Sequence, residues 1–292
     1  MFKMFRLLKK SLYTTRHESF SVFAEKIKLK IVYVYKKLTF KPYEIEKSIA
    51  GETIILIISD LFSKHWYDRP HEFDYWLELL WIKENVLKEG DIVIDCGANI
   101  GFTGIFYAQC VGSTGQVIGF EALASNAETV RKNIKLNQVK NFEIRNEAVG
   151  SFQGIVDFTD YGNGSVGRTD GFRVITVPVV TLDDSIKNLV PTFIKIDVEG
   201  YEIEVLKGAS GILKTKPKLE IEIHCAAFKN RLEDVKGLLS YIPFPAYDFF
   251  LQLLPQGDIQ HHVPNDKTAE LIAQYNNVHL VALPKVDFVP IS

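Results

Sequence analysis

The chain has 292 residues, 47% apolar and 24% charged, with a formal net charge of −2, an ordinary composition for a globular protein with a large core. Its three cysteines, Cys96, Cys110 and Cys225, form no CxxC pair of a zinc or redox site, and so sparse and odd a set fits a reducing, cytoplasmic setting better than a disulfide framework. The charge is uneven: residues 1–42 hold 11 Lys/Arg against 2 Asp/Glu. The acidic remainder argues against a broad nucleic-acid-binding face.

No apolar run approaches the roughly 18 residues that span a bilayer. Lys3, Arg6, Lys9 and Lys10 interrupt any secretory-type apolar stretch at the N-terminus. Met1, Met4, Phe5, Leu8 and Leu12 fall on one helical stripe between those cations. Two readings of residues 1–42 follow: a basic amphipathic segment in peripheral contact with an anionic membrane, or a segment packed on the acidic body. Residues 28–35 and 52–59 read as strands. Residues 71–88 read as a helix burying Trp76, Leu77, Leu80, Trp81 and Val86. Residues 1–70 are thus expected to form a basic N-terminal extension, and 71–292 the main domain.

From residue 90 the pattern changes. Short apolar runs at 91–96, 116–121, 142–146, 193–197 and 218–224 alternate with amphipathic stretches at 101–111, 126–136, 201–213 and 229–241. This alternation predicts an α/β, doubly wound, mostly parallel sheet covered by helices. Runs near 246–253 and 278–283 suit an antiparallel edge. Residues 147–192, too long for a plain loop, predict a β-hairpin insertion around YGNGSVG.

The sharpest local feature is VIDCGANIGFT at 93–103, a strand running through a glycine turn into a helix. Gly97 permits a tight turn and close ligand approach, and Gly101 lets the helix pack nearby. Asn99 stands where a dinucleotide loop needs its second glycine, and no Gly-Lys-Ser/Thr follows, so the loop suits a nucleoside without a phosphate seat. Glu121 follows Gly97 by 24 residues at a strand end, where a carboxylate can accept both ribose hydroxyls. Asn146, closing the next strand, is either a contact for the adenine edge or a polar cap. Lys195, Asp197 and Glu199 alternate with apolar residues at another strand end, and charges there cost free energy unless paired or used. Glu220, Glu222 and His224 share one face of the following strand, with His224 either a base or a structural residue.

Together DCGANIGFTG (95–104), FEALASN (120–126), NEAVGS (146–151), VPVVTLDD (177–184), IKIDVEGYEIEVLKGA (194–209) and EIEIH (220–224) resemble the FkbM family of S-adenosylmethionine-dependent methyltransferases over residues 72–255. The resemblance implies a seven-stranded, Rossmann-like methyltransferase sheet. It assigns Asp95, Gly97, Ala98, Asn99 and Gly101 to the cofactor loop, Glu121 and Ala122 to the ribose side, and Asp197 to the methyl-transfer site. The family's Glu-Pro-x-Pro is here Glu121-Ala122-Leu123-Ala124, so both prolines are missing.

The expected chemistry is O-methylation of a small-molecule or glycan hydroxyl, with S-adenosylmethionine as donor. Asp197 and Glu199 would position the acceptor or assist proton removal, with His224 a candidate base and Lys195 keeping the carboxylates ionised. Asp197, Glu199 and His224 also suit a divalent cation. The rivals are a nicotinamide oxidoreductase, opposed by Asn99, an RNA methyltransferase, opposed by the acidic body, and a non-catalytic binding module on the same fold.

Overall fold

Strand–helix alternation produces an eight-stranded mixed sheet with helices on both faces, seen in a computed structural model of the protein. The structure describes residues 28, 35, 38–68, 74–159, 164–166, 174–254 and 257–285. The expected helix at 1–13 and nearly all of the basic segment lie outside them. So does most of the expected strand at 28–35, whose described ends Lys28 and Tyr35 are helical. No helix among the described residues is long and apolar enough to cross a membrane.

The chain divides into two compact units. The smaller takes in Met1–Tyr43 and Ile58–Asp68, the larger Glu44–Ile57 and Arg69–Ser292. Residues 44–57, expected in the extension, therefore belong to the larger unit. Strands β1 (Tyr43–Ile49) and β2 (Glu52–Ile58) form a hairpin, and α1 (Leu61–Tyr67) opens on a capping box in which Asp60 and Ser63 satisfy each other's backbone N–H. Next come α2 (Asp74–Asn85), β3 (Ile92–Cys96), α3 (Phe102–Cys110), β4 (Gln116–Phe120), α4 (Ala124–Leu136) and β5 (Phe142–Arg145). The insertion holds β6 (Ala148–Val149), β7 (Gly154–Thr159) and β8 (Val174–Val180), followed by the short α5 (Leu182–Ser185). The chain continues through β9 (Phe193–Ile196), α6 (Glu202–Lys207), β10 (Lys218–Ile223), α7 (Arg231–Leu239), β11 (Tyr247–Gln252), β12 (Gln260–His262), α8 (Thr268–Ile272) and β13 (Val278–Pro284).

The main sheet runs β12-β11-β13-β10-β9-β3-β4-β5. The β5, β4, β3, β9 and β10 strands are parallel, and β13 pairs antiparallel with both β10 and β11. It holds eight strands rather than the implied seven because β12 adds to the edge at β11. After β3 the chain winds outward through β4 and β5, then returns to β9 on the other side of β3. The carboxyl ends of β3 and β9 therefore flank the crevice where such sheets bind ligands. The expected hairpin insertion is present, with β7 antiparallel to β8, but it forms a separate three-stranded sheet with β6.

One face of the parallel core is apolar: Ile94, Ile194, Ile196, Leu219 and Ile221 pack with Val205 and Leu206 of α6 and Val235 and Leu238 of α7. The opposite face is not. In register across β3, β9 and β10 lie Asp95, Lys195 and Glu220, all buried. The α2 helix turns to meet this polar face. Trp81 is half-buried and Val86, just past the helix, is buried as expected, but the helix buries Glu78, Leu79 and Ile82 and leaves the expected core residues Leu77 54% and Leu80 37% exposed. The cause is an ion pair, with Glu78 Oε1 2.7 Å from His279 Nδ1 on β13.

Side-chain amides from two helices occupy the outer edge of β2. The Ile55 N–H donates to Asn137 Oδ1 at 2.8 Å and the Ile57 N–H to Asn133 Oδ1 at 2.8 Å. Asn137 Nδ2 returns a bond to the Ile55 carbonyl at 2.6 Å, and Gln109 Nε2 reaches the Thr53 carbonyl at 2.9 Å. Asn133 Nδ2 also donates to the Ile100 carbonyl at 2.8 Å, so one buried amide joins hairpin and glycine loop. Replacing Asn133 by Ala strands those groups and should cost about 2–3 kcal/mol in urea denaturation. The less buried Asn137→Ala should cost about 1 kcal/mol. Equal small losses for both would remove Asn133 from this bracing role.

Candidate active site

The site grows from the turn after β3. At Gly97, φ is 89°, and a Cβ there would lie 1.9 Å from the Asp197 carbonyl oxygen. No other residue lets the ends of β3 and β9 approach so closely. The Gly97 and Ala98 N–H groups both donate to the Phe120 carbonyl, and the Asn99 N–H donates to Glu121 Oε2 at 2.8 Å. Glu121 Oε1 accepts from the Leu123 N–H at 2.8 Å. Each carboxylate oxygen thus takes one backbone donor, the Asn126 side chain adds a further hydrogen bond, and acceptor capacity is still left for a ligand. Burial pushes the Glu121 carboxyl up to about 8, against those hydrogen bonds.

A cleft opens over these ends. Gly97, Asn99, Glu121 and Ala122 line one side of it, Asp197 and Glu199 lie at another, and the insertion contributes Phe158 and Val166. Ala98 and Gly101 shape the loop without lining the cleft. Asp95 lies fully buried beneath it, 3.2 Å from Thr103 Oγ1 and 3.5 Å from Lys195 Nζ. Asn146 does not line this cleft either: its Nδ2 braces the carbonyls of Glu121 and Ala122 at 2.8 and 2.9 Å. Its neighbour Glu147 takes the place expected of Asn146 in the cleft wall.

Lys195 is 3% exposed, with Nζ 3.2 Å from Asp197 Oδ2. Its ammonium group thus lies between the carboxylates of Asp95 and Asp197. Burial opposes ionisation of Asp197, but Lys195 and then His224 outweigh it and hold the carboxyl below its usual range. Glu199 sits at φ 55°, a left-handed conformation unusual for a residue with a Cβ, and Gly200 follows at φ 99°. This turn places Glu199 Oε2 3.5 Å from His224 Nε2. The other ring nitrogen of His224 is 2.8 Å from Glu202 Oε1, which also accepts from the Gly200 N–H.

Burial works against charge on His224, but the bond to Glu202 and the charges of Glu222, Glu202 and Asp197 push it up to about 10. The surrounding carboxylates thus favour the protonated imidazole in the free chain, and Nε2 serves as a base or a metal ligand only after giving up its proton. His279 behaves likewise: Glu78 and Glu222 overcome burial and raise it to about 10. Glu222 lies between the two rings, 3.4 Å from His224 Nε2 and 3.8 Å from His279 Nε2. Sequence reasoning missed His279, Glu78 and the role of Glu202. Glu202 stands within the quoted EGYE run, but nothing local marks the Glu78–His279 pair, which closes across 201 residues.

Asp197, Glu199 and His224 each offer one ligand atom, all within 4.8 Å of one another, and so could hold a metal ion. The anchoring of Nδ1 on Glu202 is the support a metal-bound histidine generally receives.

The chain is similar to several known proteins. The hexuronic acid methyltransferase AglP of Haloferax volcanii is 28% identical over 159 residues, which make up 52% of this chain and 63% of that protein. A crystal structure of methyltransferase FkbM from Methylobacillus flagellatus KT is 22% identical, with a TM-score of 0.48 over 75% of this chain and 49% of that one. An S-adenosylmethionine-dependent O-methyltransferase from Thermotoga maritima is 14% identical, with a TM-score of 0.42 over 85% of this chain and 79% of its own. This chain thus spans less than two thirds of AglP and about half of the Methylobacillus protein. The family profile described as the methyltransferase FkbM domain matches residues 95–256, more than half of the sequence and the whole stretch from the glycine loop to the end of β11, so the chain belongs to the FkbM methyltransferase domain family.

Proposed function

We propose that this protein is an S-adenosylmethionine-dependent O-methyltransferase acting on a hydroxyl of a sugar or sugar-like acceptor. The observation that carries this reading is Glu121, a buried carboxylate held by two backbone N–H groups with acceptor capacity left over. The close approach at Gly97 and the absence of a phosphate seat at Asn99 fit an adenosine. S-adenosylmethionine supplies a sulfonium-bound methyl group for in-line displacement by an acceptor oxygen. Gly97, Asn99 and Glu121 would hold its nucleoside, which leaves Asp197 and Glu199 for the acceptor.

Sugar hydroxyls are donors, and an acidic rim accepts from them. The activity named for AglP, methylation of a hexuronic acid, supports that class of acceptor. An alcohol oxygen becomes strongly acidic once it bonds to the methyl carbon. Its proton can therefore pass late in the step to a carboxylate, and Asp197 or Glu199 suffices as base. His224, cationic in the free chain, anchors that carboxylate pair. Much of the acceleration then comes from alignment of oxygen, methyl carbon and sulfur. A second reading adds a divalent cation on Asp197, Glu199 and His224, supported by the converging ligand atoms and the Glu202 anchor.

Three outcomes are expected. Ribose hydroxyls donate to the ionised form of Glu121, so binding of S-adenosylhomocysteine should release a proton at pH 7. Affinity should rise with pH and level off above about 8, the value to which burial raises this carboxyl. Calorimetry in buffers of different ionisation enthalpy reads this directly, and Glu121→Gln should abolish both effects. Glu199→Asn relieves the left-handed strain but gives up the contact with His224, so stability should change by no more than about 1 kcal/mol. The same change should lower turnover at least tenfold, and a folded variant that is fully active would take Glu199 out of the transfer step. Activity lost in EDTA and restored by Mg²⁺ would establish the cation reading, whereas activity untouched by chelation would end it.

A further inference from the structure

We infer that the inserted β7–β8 arm builds the adenine pocket, with the ring of Phe158 as the face on which the base stacks. The inference rests on the cofactor reading above. Phe158 is buried in a cluster with Ala122, Leu123 and Ala148, which puts its ring at the β4–β5 side of the cleft. That is the side beyond Glu121, away from Asp197. The cleft is therefore divided by chemistry. Its β9 end is acidic and suits a sulfonium and an acceptor hydroxyl. Its β5 end is apolar, with Glu147 as a nearby carboxylate. A flat ring with an apolar face and a donor edge, such as an aminopurine, matches the second end and not the first.

The arm is built to hold this ring in place. Phe158 sits opposite Ile175 on β8 and makes an isolated bridge with Val166. The Thr159 N–H donates to the Ser165 carbonyl at 2.9 Å, which folds residues 164–166 back onto the strand. Gly164 adopts φ +71°, and a Cβ there would lie 2.0 Å from Cε1 of the Phe158 ring. The backbone at 164 thus lies against the ring edge, and both residues line the cleft. Neither residue lies in the parallel core, so the arm adds a wall of its own beside the glycine loop and Glu121.

Calorimetric titration of the full chain with S-adenosylhomocysteine and with adenosine tests the assignment. Phe158→Ala should weaken S-adenosylhomocysteine about tenfold or more and adenosine in the same proportion. Phe158→Leu should fall between Ala and wild type. Gly164→Ala, whose methyl displaces the ring, should also weaken both ligands. Thermal melts identify folded variants, and if Phe158→Ala does not fold, Phe158→Leu decides. Wild-type affinity for S-adenosylhomocysteine in a folded Phe158 variant would overturn the proposal. So would a loss confined to S-adenosylhomocysteine with adenosine unchanged, because the ring would then face the amino-acid end. A wild-type chain that binds neither ligand would instead overturn the cofactor reading, and this inference with it.

Discussion

Lys195 places one ammonium group inside a sheet, between Asp95 on β3 and Asp197 beyond β9. At that depth a single unpaired charge costs several kcal/mol, and removing one partner of such a group typically costs about 3–5 kcal/mol. The surroundings are therefore constrained on every side. Glu220 must lie in the same register row on β10, where burial raises its carboxyl and the Tyr107 hydroxyl donates to it at 2.6 Å. Thr103 must face Asp95 from α3. The α2 helix must bring Glu78 to His279 even though Leu77 and Leu80 are left facing solvent. The polar face of the sheet is thus a charge arrangement that fixes which helix surface can cover it.

The same arrangement shapes the cleft. Asp197 takes its charge from Lys195 on one side and meets His224 on the other, so it remains an acceptor where a hydroxyl would arrive. Glu202, Glu222 and Glu199 then surround an imidazole whose protonated form they favour. Opposite them lie Ala122, Ala148 and Phe158, which carry no charge. A ligand with a cationic centre at one end and an uncharged aromatic base at the other finds both ends provided for.

The parallel core was legible because each strand is a short apolar run closed by a polar or glycine turn, and that pattern depends on local sequence. The Gly97 turn and Glu121 were legible for the same reason: loop and carboxylate are separated by one strand–helix unit. Other features depend on partners distant in sequence. The apolar spacing of α2 pointed to Leu77 and Leu80, but Glu78 won the interior through a histidine near the end of the described chain. Asn146 and Glu147 are adjacent and both polar, and only the carbonyls of Glu121 and Ala122 decide which of them turns away from the cleft. The three residues of β12 carry no strand signal of their own and are ordered by pairing with β11.

The position of β13 governs the order in which the molecule can assemble. It is the last strand among the described residues, yet it lies inside the sheet between β10 and β11. Until residues 278–284 leave the ribosome, β10 has an open edge and β11, paired only with the short β12, has no link to the rest of the sheet. During synthesis the nascent chain therefore carries two unpaired strand edges, the kind of surface that invites association with other chains. Insertion of β13 closes both edges in one event and delivers His279 to Glu78 and Glu222, so completion of the sheet and neutralisation of its buried acids are a single late step.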